Sequence, residues 1–134
     1  KFQTGVLTGN QVTDLYNYAQ QEGFALPAVN ITSTTVANAV LEAAKQVNSP
    51  VIVQISHGGS AFYAGKALPN DQWQASIAGA ISMAKHIHHV AKLYEVPVLV
   101  HSDHAPKETL PWVDGMLQAD LLNYQKYQHP LFST

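Results

Sequence analysis

The feature that most constrains this sequence is a rhythm. Short apolar runs rich in β-branched residues alternate with longer stretches of helical period. Pro50-Val-Ile-Val-Gln-Ile55 and Pro97-Val-Leu-Val-His101 are apolar on both faces, the pattern of strands buried within a parallel sheet. Phe24-Ala-Leu-Pro-Ala-Val29 is a third such run and stops at Asn30, and Pro130-Leu-Phe-Ser133 reads as the start of a fourth. A first helix is predicted from a capping box of Thr8 and Gln11 to a stop at Gly23. A second starts near Ser33, with Val36, Ala37, Val40, Leu41 and Ala44 on one face. A long helix is predicted over 72–94, and another from about Leu110, where Pro111 holds a tolerated early position. Residues 56–70 read as a glycine-containing loop. This order predicts an α/β fold, a parallel sheet covered by helices, and both an open doubly wound sheet and a (β/α)8 barrel satisfy it.

Composition narrows the function classes. The 134 residues can bury a core of ordinary size, yet charged residues make up only 12% of them and arginine is absent. Soluble domains average about 25% charged residues, so much of this surface is expected to face more protein. A net charge of −2 with no basic cluster argues against nucleic acid as a partner. No apolar run approaches the ~20 residues of a spanning helix, and no secretory signal is visible at the amino terminus. The lack of cysteine excludes disulfides and thiolate metal sites and fits a cytoplasmic protein.

In both candidate architectures the carboxyl ends of the parallel strands carry the active residues. Polar residues able to do chemistry follow the runs there: Asn30, then Ser56 and His57, then His101, Asp103 and His104. In His101-Ser-Asp-His104, neighbouring side chains project in different directions. One can therefore bind a metal while the other reaches a substrate. A helix-capping aspartate beside a structural histidine accounts for the same spacing equally well. His86 and His89 share a helix face but have no carboxylate beside them, which favours packing roles. His57-Gly-Gly-Ser60 with Lys66 falls short of a P-loop: five residues separate Gly59 from Gly65, and Ala67 stands where Ser or Thr would hold Mg²⁺.

Seven ordered segments carry a family resemblance. They are Thr4-Gly-Val-Leu-Thr-Gly9, Phe24-Ala-Leu-Pro-Ala-Val-Asn30, Pro50-Val-Ile-Val-Gln54, Ser56-His-Gly-Gly59, Ala64-Gly-Lys66, His101-Ser-Asp-His104 and Leu110-Pro-Trp-Val-Asp-Gly-Met-Leu117. In these the chain resembles the amino-terminal portion of class II fructose-bisphosphate aldolases, the dimeric class IIA type most of all. The resemblance implies a zinc-dependent (β/α)8 barrel. Its reaction is the reversible cleavage of fructose 1,6-bisphosphate to dihydroxyacetone phosphate and glyceraldehyde 3-phosphate, in glycolysis and gluconeogenesis. His104 then stands at one of three zinc-binding histidines and Asp103 at the acid/base residue. Asn30 and Ser56 stand at substrate-contacting positions, with Lys66 a weaker candidate in the loop. Zn²⁺ is implied as the cofactor with a monovalent cation beside it, and a homodimer as the assembly.

Departures from the family pattern qualify this reading. Ala105-Pro-Lys-Glu-Thr-Leu110 follows the Asp-His pair where the family has Cys-Ala-Lys-Lys-Leu-Leu, and His57 replaces a common Asn. A barrel needs about 250 residues, so residues 1–134 are expected to be the amino-terminal part of one incomplete barrel domain. The other two histidines, the second proton-transferring carboxylate and the phosphate-gripping loops would lie outside them, and the isolated chain is expected to lack activity. A tagatose-bisphosphate aldolase is an alternative within the same chemistry. A non-catalytic half-barrel that binds or assembles with a partner is an alternative outside it.

Overall fold

The computed structural model describes residues 2–134. Four parallel strands, β1 (Gly5–Val6), β2 (Ala28–Asn30), β3 (Val51–Ile55) and β4 (Pro97–Ser102), form one sheet in the order β1-β4-β3-β2. Five helices accompany them: α1 (Asn10–Glu22), α2 (Thr34–Val47), α3 (His57–Ala64), α4 (Gln74–Tyr94) and α5 (Leu110–Tyr127). Each of β2, β3 and β4 lies beside the next in the chain, with helices between them in sequence. That is the winding of a barrel wall, whereas a doubly wound sheet reverses direction at a switch point.

Local chemistry sets most of the boundaries. The Ser33 Oγ accepts the Val36 amide hydrogen at 3.1 Å and starts α2. Gly23, at φ 72°, ends α1 in the left-handed conformation that favours glycine. The start of α1 differs from expectation. Its N-cap is Gly9, without a side-chain cap, and only the returning half of the predicted box forms, from the Thr8 amide to Gln11 Oε1 at 3.4 Å.

Two further differences have tertiary causes. Residues 57–64, expected within a loop, form α3, because Ser56 caps the segment and α4 packs against it. A Cβ built on Gly79 of α4 would stand 1.9 Å from the Ser60 carbonyl oxygen, so the two backbones meet with no room for a side chain. The fourth strand expected from 130 is not a regular strand. Its Ser133 and Thr134 lie along the upper edge of β4 (Ser133 amide to Val100 carbonyl, 2.7 Å; Ser102 amide to Thr134 carbonyl, 2.9 Å). The lower edge is taken by β1, a two-residue strand without a visible sequence signal, whose Gly5 amide donates to Val96 at 2.9 Å. Ser133 Oγ donates to the Leu7 carbonyl at 2.6 Å and joins the two segments end to end.

The core lies between the sheet and the helices on one face. Val51, Val53, Ile55, Val98 and Val100 pack there with Ala37, Leu41, Met83, Ile87, Trp112 and Met116. On the opposite face, α1 covers only the amino-terminal level, where Leu99 packs with Leu7, Val12 and Leu15 and against Ile52.

Asp120 fixes the segment that follows α5: its Oδ1 accepts the amide hydrogens of Leu131 at 2.8 Å and Phe132 at 3.0 Å. Burial raises the Asp120 pKa against the lowering effect of those two bonds. The stability this group contributes is therefore greatest below the ordinary carboxylate range and is lost as pH rises through its raised pKa. Asp120→Asn keeps an accepting oxygen and removes the charge. Urea unfolding followed across the acid-to-neutral range should show a flatter pH dependence, with the variant at least as stable as the parent at neutral pH. Gly79→Ala should lower stability by roughly 1–3 kcal/mol through overpacking against α3, measurable in the same unfolding experiment.

Candidate functional site

Register assembles the site. Ala28 pairs with Ile52 and Ile52 with Leu99, forming an apolar level, and two residues further on Asn30 pairs with Gln54 and Gln54 with His101. Because side chains alternate along a strand, both levels face the same way. α1 covers the apolar level, and the polar level lies at the carboxyl ends of the strands. Two members of the row are hydrogen-bonded to each other, Gln54 Nε2 donating to Asn30 Oδ1 at 2.6 Å, while His101 Nδ1 lies 2.7 Å from Thr134 Oγ1. The Asn30 amide NH₂ has no partner among the described residues and is available to donate.

Ser56 follows β3 directly. Its Oγ accepts the Gly59 amide hydrogen at 2.9 Å as the N-cap of α3, which leaves the hydroxyl hydrogen available to a further acceptor. Asp103 follows β4 and is tied back to β3, since its amide donates to the Ile55 carbonyl at 2.9 Å. One carboxylate oxygen of Asp103 accepts the His104 amide hydrogen at 2.8 Å, and the other has no partner among the described residues. His104 is exposed, and its ring makes no hydrogen bond among the described residues. Asn30, Ser56, Asp103 and His104 therefore all emerge from the same end of the sheet, on three adjacent strands.

Other sequence candidates fall elsewhere. Lys66 is exposed in the turn after α3. His86 bonds Asn38 at 2.8 Å between α4 and α2, and His89 stands apart from the strand ends. His57 lies against Trp73 and Trp112, with ring centroids 5.0 and 5.4 Å away, and its Nε2 is buried without a partner among the described residues. Burial lowers its pKa by disfavouring the charged ring. Gln54 was not singled out from the sequence. The signal was there, in a lone amide on the alternating face of an otherwise apolar strand.

A family model for class-II fructose-bisphosphate aldolase matches residues 10–126. The chain belongs to that family. It is 52% identical over 130 residues to a fructose-bisphosphate aldolase of Campylobacter jejuni, covering 97% of this chain and 36% of that protein. It is 48% identical over 134 residues to the fructose-bisphosphate aldolase of Saccharomyces cerevisiae, covering all of this chain and 37% of that one. The crystal structure of the Campylobacter jejuni aldolase superposes with a TM-score of 0.92 at 51% identity over 98% of this chain and 36% of that chain. The chain thus spans a little over a third of the length of these relatives. The four strands and their helices are part of the aldolase (β/α)8 barrel.

Membership of the class II aldolases implies a divalent metal, and the donor set can be tested against that. Among the described residues no group of three His, Cys, Asp or Glu side chains is placed to share an ion. A zinc site needs about four ligands, and the unengaged imidazole of His104 offers one. The residues present thus fit a single corner of such a site.

The Ser56 cap joins this candidate site to the fold. Ser56→Ala should cost about 1 kcal/mol of stability through the lost cap, and helix-directed hydrogen exchange should show the loss concentrated in α3.

Proposed function

We propose that the protein to which this chain contributes is a class II fructose-bisphosphate aldolase, cleaving fructose 1,6-bisphosphate reversibly to dihydroxyacetone phosphate and glyceraldehyde 3-phosphate in glycolysis and gluconeogenesis. Residues 1–134 form the amino-terminal part of its single barrel domain. The observation that carries the reading is the convergence of Asn30, Ser56, Asp103 and His104 at the carboxyl ends of β2, β3 and β4, in a chain of this family.

Each residue has a role that its surroundings suit. Asp103 is the acid/base residue: its backbone is anchored to β3 and one oxygen is held by the His104 amide, so the free oxygen can exchange a proton with the sugar C4 hydroxyl. Asn30 and Ser56 bind substrate, the first through its free amide hydrogens and the second through its hydroxyl hydrogen. His104 is one ligand of a zinc ion, with the remaining ligands outside residues 1–134. Zinc when bound supplies Lewis-acid polarisation of the substrate ketone. Gln54 positions Asn30 by fixing its carbonyl oxygen, so that the NH₂ group points the other way. The working protein is a cytoplasmic homodimer that takes a phosphorylated sugar, with a monovalent cation as a second ion.

The test separates the two roles in the full-length protein. Asp103→Ala should lower kcat by about 10²–10⁴-fold, the range for losing a positioned acid/base group, with zinc content unchanged. His104→Ala should lose zinc, measured by metal analysis after dialysis, and lose turnover with it. Normal turnover and equal metal content in both variants would defeat the assignment.

A further inference from the structure

The helices α4 and α5 return from the carboxyl end of the sheet to its amino end, and between their second halves lies a cavity of about 600 Å³. Its position is thus at the opposite end of the sheet from Asn30, Ser56 and Asp103. Lys85, His88 and His89 line it from α4, and Lys126 and Tyr127 from α5, with His129 beyond. No acidic residue lines it. Asp120, close by on α5, directs its accepting oxygen to the Leu131 and Phe132 amides.

This concentration runs against composition. A chain of net charge −2 with only 12% charged residues brings two of its seven lysines and three of its seven histidines to one cavity. Like charges gathered without a counter-charge repel, and a bound anion relieves that repulsion. The cavity is also built to present ring nitrogens. His88 Nε2 lies 2.8 Å from the Leu131 carbonyl, an acceptor only, so that nitrogen carries its hydrogen, and Nδ1 has no partner among the described residues. His129 Nδ1 lies 2.9 Å from the Pro130 carbonyl and 3.4 Å from the Asn123 side-chain nitrogen, and its Nε2 has no partner among the described residues. The two rings stack at 5.1 Å with 14° between their planes. Ile81 and Leu122 add apolar wall, and the volume falls in the usual range for small-molecule sites.

We propose that this cavity binds a phosphoryl group, held by the two ammonium groups and the imidazoles, either as free phosphate or as part of a small organic phosphate whose body rests on the apolar wall. Burial, then the neighbouring His129 and His89, lowers the His88 pKa against the raising effect of its bond to Leu131. A bound anion favours the charged ring. Binding therefore tightens as pH falls and the His88 ring gains its charge; the other titratable groups facing it are Lys85, His89, Lys126, Tyr127 and His129.

The test is a titration of the full-length protein with inorganic phosphate and with phenyl phosphate, each against sodium chloride of matched ionic strength, following the imidazole NMR signals of His88 and His129. Saturable shifts beyond the chloride control are expected. The affinity should weaken about tenfold in Lys85→Gln/Lys126→Gln, as for the loss of two partly screened charges. Equal affinity for the two probes would identify free phosphate as sufficient, and tighter phenyl phosphate would identify the organic form. Shifts matched by chloride, or unchanged in the double variant, would overturn the proposal.

Discussion

Everything at the carboxyl end of this sheet depends on the parallel register of β2, β3 and β4. Ladder hydrogen bonds hold Asn30, Gln54 and His101 at one level, and a slip of one residue would turn all three toward the helices and bring Val53 and Val100 to the other side. The register is in turn fixed by burial, because Val51, Val53 and Ile55 fill the helix-covered core while Ile52 and Leu99 turn toward the other face, Leu99 beneath α1. Apolar packing at one level and on one face thus determines where polar chemistry stands on the other.

Much of this was legible in the sequence because it rests on local signals. The β-branched runs at 51–55 and 97–101, the Ser33 cap and the Gly23 stop each carry their own physical cause, and the structure follows them within a few residues. The features that escaped have causes in distant parts of the chain. β1 is two residues long and exists because the lower edge of β4 is open to it. α3 contains two glycines in a sequence of poor helical propensity, and tertiary contact with α4 secures it.

The candidate site divides in the same way. Asp103 and His104 stood out because an acidic residue and an imidazole followed an apolar strand, and the structure brings them to the same sheet end as Asn30 and Ser56. For Gln54 the sequence offers only a lone amide in an apolar strand, and the partner it bonds, Asn30, is 24 residues away. The low charge content also gains a structural setting. Val36, Val47, Leu117 and Leu121 are exposed apolar side chains on α2 and α5, the helices that flank the sheet, and an apolar groove runs beside the outer edge of β2.

The missing side chain at Gly79 has a consequence for precision. With the backbones of α3 and α4 in direct contact, no layer of deformable side chains separates them at that point. A long helix of 21 residues thus acts as a datum surface for a short one of eight. Thermal play in the short helix is limited by the stiffness of the long one, and the hydroxyl of Ser56 at its tip inherits that tolerance.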